Sequence, residues 1–226
     1  MEHVLDNPVW NALISGNSHL CHGDQVKYFD KEVSPFAGFD ELSTEKLDLL
    51  YDILPVKRPT LIVTPVEVEI PEKWKVLRAM KGLQMVHEAD HVLNEGQADL
   101  MPLSEEHAPQ MYALAKLTNP GPFEIRTIEF GHYRGIFSND KLVAMAGQRL
   151  HPFNYAEVSA VCTHPDYLGK GYARQLLIYH INRIKGGGNI PFLHVRNDNE
   201  RAIKVYQSLG FTTRIRIYFY LIVKAE

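Results

Sequence analysis

Cysteine is nearly absent. Cys21 and Cys162 are the only two in 226 residues, which excludes the disulfide lattice that holds small secreted domains together. Positive charge is not in excess either: 24 lysines and arginines face 27 acidic residues, for a formal net charge of −3. A nucleic-acid-binding surface shows the opposite balance. The longest apolar run, residues 217–223, falls far short of the roughly 20 residues a membrane-spanning helix needs. The N-terminal stretch holds Glu2 and Asp6 and no continuous apolar core, so no signal peptide is read there. Internal repeats and low-complexity segments are missing. These absences point to a cytoplasmic chain without membrane or nucleic-acid partners. Neither G-x-x-x-x-G-K-S/T nor G-x-G-x-x-G occurs, which excludes the P-loop and the dinucleotide fingerprint.

What is present is a large apolar fraction, 45%, ample for a packed core, in a chain long enough for one large domain or two small ones. The most informative stretch is residues 158–173, VSAVCTHPDYLGKGYA. An apolar run ends at His164-Pro165, a polar turn leads to Gly169-Lys170-Gly171, and a periodic segment follows with Ala173, Leu176, Leu177, Ile181 and Ile184 on one stripe. Strand, glycine loop and helix in this order gather backbone N–H groups and the positive helix end on one point, an anion site. Glycine lets the backbone approach the anion without an intervening Cβ.

The rest of the chain reads as follows. In the first half the pattern predicts a helix over 8–14 with Asn7 as cap, a hairpin over 19–29 around Gly23-Asp24, a helix over 43–53, a buried strand over 59–63 and a further helix opening at Pro71. A boundary is expected near residue 95, giving an α/β lobe over 1–95 and a second unit over 96–226. The second unit reads as a strand at 99–103, a helix from Ser104 to about residue 118, a short helix over 123–130, a hairpin of 132–137 with 141–150, a strand over 155–163, the helix over 171–185 closed by Gly186-Gly187-Gly188, a strand over 190–195, a helix over 200–209 capped by Asn199, and a closing strand over 212–223.

Asn199-x-x-Ala202-x-x-x-Tyr206-x-x-x-Gly210-Phe211 follows the glycine loop. The two stretches together resemble the GNAT superfamily of acyl-CoA-dependent N-acyltransferases, and most closely its branch of glycine N-acyltransferase-like proteins. The family's loop pattern, Arg/Gln-x-x-Gly-x-Gly/Ala, is matched at Gly171 and Ala173, while Leu168 stands where Arg or Gln is usual. The resemblance covers roughly residues 99–223. It implies a GNAT fold, an α/β structure with a mixed central sheet flanked by helices, preceded by the N-terminal lobe, itself conceivable as a degenerate GNAT-like half. It also implies acetyl-CoA as acyl donor, with direct attack by a primary amine in a ternary complex and no metal. By the same resemblance, Val161, Cys162 and Thr163 would lie along the pantetheine arm. Leu168, Gly169, Lys170, Gly171, Tyr172, Ala173 and Arg174 would surround the pyrophosphate. Asn199 would contact the arm, and Tyr206 would protonate the departing thiolate.

Alternation along 155–163 puts Glu157, Ser159, Val161 and Thr163 on one side. A carboxylate facing an apolar cleft has its pKa raised, which makes Glu157 the candidate base. Tyr206 lies two helical turns after Asn199, on the same face, and its other reading is a core aromatic. Three alternatives stay open: a non-catalytic acyl-CoA sensor, an interaction module, and a zinc protease, because His87-Glu88-Ala89-Asp90-His91 matches H-E-x-x-H. The amine acceptor is not legible, and a homodimer stays open.

Overall fold

A computed structural model describes residues 3–89, 93, 94, 96 and 98–225. In chain order it contains α1 (Pro8–Leu13), β1 (Cys21–His22), β2 (Val26–Phe29), β3 (Ala37–Phe39), α2 (Thr44–Ile53), β4 (Thr60–Thr64), β5 (Trp74–His87), β6 (Met101–Pro102), α3 (Ala108–Thr118), β7 (Arg134–Ser138), β8 (Lys141–Gln148), β9 (Tyr155–Thr163), α4 (Tyr172–Gly186), β10 (Ile190–Arg196), α5 (Glu200–Ser208) and β11 (Phe211–Lys224). Strands β1, β2 and β3 make a small sheet, and the other eight form one large sheet in the order β4-β11-β5-β10-β9-β8-β7-β6. Every neighbouring pair of the large sheet is antiparallel except β9 with β10. Helix α4 covers one face of β8, β9 and β10, and α3 covers the other face of β8 and β9. No helix among the described residues is long and apolar enough to cross a membrane.

Local chemistry accounts for most of these elements. Pro8 opens α1, where a missing N–H costs nothing. Asn7 does not cap it. Its Nδ2 donates instead to the carbonyls of Phe39 (2.6 Å) and Asp40 (3.2 Å), which ties α1 to the end of β3. The Ser43 side chain accepts from the Lys46 N–H (3.2 Å), and Leu47 and Leu50 turn inward, so α2 forms as the spacing predicts. Helix α4 buries Leu176, Leu177, Ile181 and Ile184 and stops at Gly187-Gly188.

The helix expected to open at Pro71 is not formed. Residues 74–87 are instead the long strand β5, which lies between β11 and β10. The segment is ambiguous by period, since Val76, Met80, Leu83 and His87 also fall at helical spacing. Pairing on both edges over 82–86 decides for strand. Gly82 marks the close approach: a Cβ there would lie 2.8 Å from the Val195 carbonyl oxygen. With β5 extended to His87, the helix that H-E-x-x-H chemistry requires is not formed at the start of the motif. The His87 ring is buried, packs edge-on against Phe211, and lies 2.9 Å from the Leu209 carbonyl through Nε2. His91 lies outside the described residues. Strands β4 and β5, from the stretch before residue 95, share the large sheet with strands from the stretch after it.

His180, on α4, is fully buried. Burial first, and then the nearby Arg183 charge, lower its pKa from 6.5 to about 3. The native state therefore stays neutral where the unfolded chain takes up a proton, so this contribution is complete above pH 6.5 and is lost as pH falls. We expect unfolding free energy to start dropping near pH 6.5 and to fall by about 1.4 kcal/mol per pH unit from this one group between about pH 5.5 and 4. Denaturant titrations of His180→Leu over that window should show a slope shallower by that amount. Equal slopes would mean that His180 titrates alike in both states.

Candidate active site

Strands β9 and β10 pair at three positions only: Ile190 with Tyr155, Pro191 with Ala156, and Phe192 with Glu157. Beyond them the two strands part. A cleft of about 420 Å³ opens there, lined by Val161 of β9, by His194, Val195 and Arg196 of β10, and by Asn199, Ala202 and Tyr206 of the following helix. Its opposite wall comes from Phe36, Leu61, Arg78, Met80, Phe219, Leu221 and the 119–124 loop.

A bulge shapes the β9 side. Met145 of β8 faces Cys162 and Gly147 faces Ser159, so β9 carries one extra residue, and Ala160 takes up φ = 53°. The expected sharing of one side by Glu157, Ser159, Val161 and Thr163 is therefore broken. Before the bulge Ala156 and Val158 pack against α4; after it Val161 does so, while Ala160 and Cys162 turn toward Met111 and Tyr133. The His164 N–H donates to the Val143 carbonyl (2.7 Å). By the alternation of an antiparallel ladder, Cys162 turns its N–H to β8 as well, and those of Val161 and Thr163 face the parted side. Cys162 is thus not brought to the cleft. Its side chain is buried, and burial pushes the thiol up to about 12.

The glycine loop follows a 3-10 turn over Pro165–Tyr167. Gly169 and Gly171 have φ of +80° and +77°, and Gly171 is the N-cap of α4. A Cβ built at Gly169 meets nothing within 4 Å, and one at Gly171 meets only Gln175 Nε2 at 4.0 Å. The space in front of the 15-residue helix α4 is open, and its leading N–H groups have no intrahelical acceptors. These residues suit a pyrophosphate. The Lys170 ammonium lies 4.7 Å over the Tyr167 ring, Arg174 is exposed, Tyr172 packs beside Leu176, and Leu168 is 48% exposed. The Leu168 side chain offers no donor where the family pattern has one.

Tyr206 lines the cleft with its ring 6.0 Å from Phe211, edge-on. Burial raises its phenol to about 12, so it holds its proton at neutral pH. Asn199 also lines the cleft and caps α5, its Oδ1 accepting from the Ala202 N–H (3.2 Å).

Glu157 corrects the expectation of a carboxylate with raised pKa. It is fully buried, and burial alone would raise it. Arg149 outweighs that effect through two bonds, Nε to Oε2 (2.9 Å) and Nη2 to Oε1 (2.5 Å). His194 adds a third from Nδ1 to Oε1 (2.7 Å), and the Leu150 N–H a fourth (3.3 Å). The carboxyl is held well below the usual carboxylate range, so Glu157 is a saturated anion and no ready base. The network continues inward. Gln84 Nε2 donates to the Leu5 carbonyl (2.8 Å), and its Oε1 accepts from Arg214 Nε (2.6 Å), which fixes the amide's orientation. His194 Nε2, 3.1 Å from Gln84 Nε2, is then the acceptor, and Nδ1 carries the hydrogen given to Glu157. Arg214 in turn pairs with Asp6. Sequence reading missed Arg149, His194, Gln84 and the N-terminal wall residues. A signal existed for His194, the one polar side chain inside the apolar run 190–195. None existed for Arg149.

Comparison with known proteins bears on this site. Residues 133–220 match the family model described as FR47-like protein. Over 84 residues the chain is 39% identical to N-alpha-acetyltransferase RimI of Mycobacterium tuberculosis, an alignment covering 35% of this chain and 51% of that protein. Over 82 residues it is 34% identical to mycothiol acetyltransferase of Saccharopolyspora erythraea, covering 36% and 27%. The chain thus spans about half or less of the length of these curated relatives. A solved GNAT-family protein from Novosphingobium aromaticivorans is 34% identical with a TM-score of 0.92, and the match covers 100% of both chains. A GCN5-related N-acetyltransferase from Kribbella flavida shares the fold, with a TM-score of 0.62 at 14% identity over 95% of each chain.

Removing Arg149 leaves the Glu157 anion buried with half its partners. We expect Arg149→Met to lower stability by about 3–5 kcal/mol. Arg196→Met, which breaks the solvent-exposed pair with Asp198, should leave stability nearly unchanged. Denaturant unfolding of both variants checks this, and similar losses in the two would contradict the account of the Glu157 network.

Proposed function

Because this chain belongs to the GNAT family, as its full-length likeness to a family member at 34% identity establishes, we propose that it transfers the acetyl group of acetyl-CoA to a primary amine by direct attack in a ternary complex. One observation carries the reading: the parting of β9 from β10 opens a cleft with Val161 and Tyr206 on its wall, and Val161 belongs to the strand that runs on into the glycine loop and the head of α4. When bound, acetyl-CoA supplies an activated thioester carbonyl. The chain's own groups supply the rest. N–H groups of the Gly169–Ala173 stretch and the α4 head hold the pyrophosphate. The outward N–H groups of Val161 and Thr163 bond the pantetheine arm as an added strand, and one of them polarises the carbonyl as charge develops on its oxygen. Asn199 steers the arm, and Tyr206 holds a proton for the departing sulfur.

Glu157 acts by position. It binds the β10 residue His194 to β9 at the point of parting, and it does not take the amine's proton. The amine therefore attacks from its free-base fraction, having shed its proton to solvent.

Calorimetric titration with acetyl-CoA and free CoA tests the cofactor site. Wild type should bind both, and Gly171→Glu, which adds bulk and negative charge to the cradle, should bind neither. Tyr206→Phe should lower kcat by about 10²–10⁴-fold at an unchanged KM for acetyl-CoA. Below the amine's own pKa, kcat/KM should rise about tenfold per pH unit, as a free-base mechanism demands. A profile that levels off near neutrality would return the base to a protein group. Cofactor binding without turnover of any amine would favour the sensor reading.

A further inference from the structure

Past Gly82, toward its N-terminal end, β5 has a strand neighbour on one side only among the described residues. β10 pairs with residues 82–86 and ends at Arg196. The Asn197 N–H still reaches the Lys81 carbonyl (3.2 Å), and the chain then turns away into α5. From Lys81 back to Trp74, β5 is paired with β11 alone. Alternate residues of an antiparallel strand point their N–H and C=O the same way. Lys81 points away from β11, so Ala79 does too, and its two groups face an edge that carries no strand among the described residues. A groove of about 340 Å³ runs along this edge, lined by Arg78, Ala79, Met80 and Lys81 and by the 196–198 turn. It is continuous with the cleft, because Arg78, Met80 and Arg196 line both.

Charge and shape narrow the occupant. Lys81 is paired with Glu67 (3.5 Å), and Arg196 is paired with Asp198 through both oxygens. Arg78 makes no direct ion pair among the described residues, although its charge is felt by Asp198 across the groove, and it sits on the rim shared by groove and cleft, where Arg78, Lys81 and Arg196 outnumber Asp198. The ladder with β11 shifts register at Leu77, so the edge offers a short straight segment. A second copy pairing edge to edge would need a longer one. A short strand that ends in an amine uses edge, rim and cleft together.

We propose that the acceptor is the free N-terminus of an extended acidic peptide. The peptide adds to β5 at Ala79, brings a side-chain carboxylate to Arg78, and delivers its terminal amine into the β9–β10 cleft. This rests on the acetyl-transfer reading above. In the step, the amine nitrogen forms a bond to the acetyl carbonyl carbon and the carbon–sulfur bond breaks. The amine's proton goes to solvent, and the sulfur takes the Tyr206 proton, which solvent replaces.

The test is a set of initial-rate assays with acetyl-CoA and short peptides: one with Asp at its second and third positions, the same with Lys there, and the free amino acid of its first position. The Asp peptide should exceed the free amino acid in kcat/KM by about tenfold or more, the worth of the added main-chain bonds. Ala79→Pro removes the outward N–H and no bond to β11, a placement proline tolerates on an edge. It should raise the peptide KM by about tenfold with the calorimetric affinity for acetyl-CoA unchanged. Arg78→Glu should invert the preference between the Asp and Lys peptides. If Ala79→Pro loses acetyl-CoA binding through misfolding, the Arg78→Glu inversion decides. The proposal is overturned if acetyl-CoA binds normally but the free amino acid serves as well as the peptide, or if Arg78→Glu keeps the Asp preference. A chain that binds no acetyl-CoA overturns it together with the acetyl-transfer reading, and calorimetry reveals this before any peptide is added.

Discussion

Glu157 is the last residue of β9 to pair with β10, and its carboxylate holds His194, two residues beyond the last pairing partner on β10. That one bond sits where two parallel strands part inside a sheet, where unpaired backbone and a buried charge meet. Arg149 supplies the countercharge that lets an ionised carboxylate stay there. Without it the fork would carry an unpaired anion in the core, among the costlier things a fold can bury. The cleft, the outward N–H groups of Val161 and Thr163, and the access of Tyr206 to the opening all depend on the parting being held at that point. The bulge at Ala160 completes it by turning β9 so that Val161, and not Cys162, follows the α4 side.

Residues up to His87 contribute directly to this arrangement. β5 lies against β10 and carries Gln84, the group that orients His194 from behind. Gln84 is itself set by Leu5 and Arg214, and Arg214 by Asp6. A hydrogen-bonded chain thus runs from the N-terminal turn to the fork. The apolar wall of the cleft opposite β9, with Phe36, Leu61 and Met80, comes from the same stretch. The glycine loop and Tyr206 come from the part with the strongest sequence signal, whereas the wall of the cleft opposite β9 comes largely from the part with the weakest.

How far the sequence was legible follows from the range of the interactions involved. The loop at 168–173, the stripe of α4, the Asn199 cap and the Ser43 cap are local: spacing within a few residues specifies each. The helix expected from Pro71 onward failed because its apolar positions suit both periods, and only the flanking strands β10 and β11, more than a hundred residues later, select the extended form. Glu157 was expected to have a raised pKa, and its state is the opposite. Its pKa depends on Arg149 and His194, eight and 37 residues away in sequence, and no strand pattern announces either partner. Alternation along β9 misled for a related reason, since a bulge is a response to the neighbouring strand.

By itself the sequence determined the class of fold, the order of its second-half elements and the glycine loop at the head of α4, because each follows from periodicity, capping and glycine placement along the chain. Tertiary structure alone decided which strand lies between β10 and β11, that the Glu157 carboxylate is a saturated anion, and that one edge of β5 is left open among the described residues. Those outcomes come from pairing and charge contacts between distant segments, and such contacts exist only once the chain has folded.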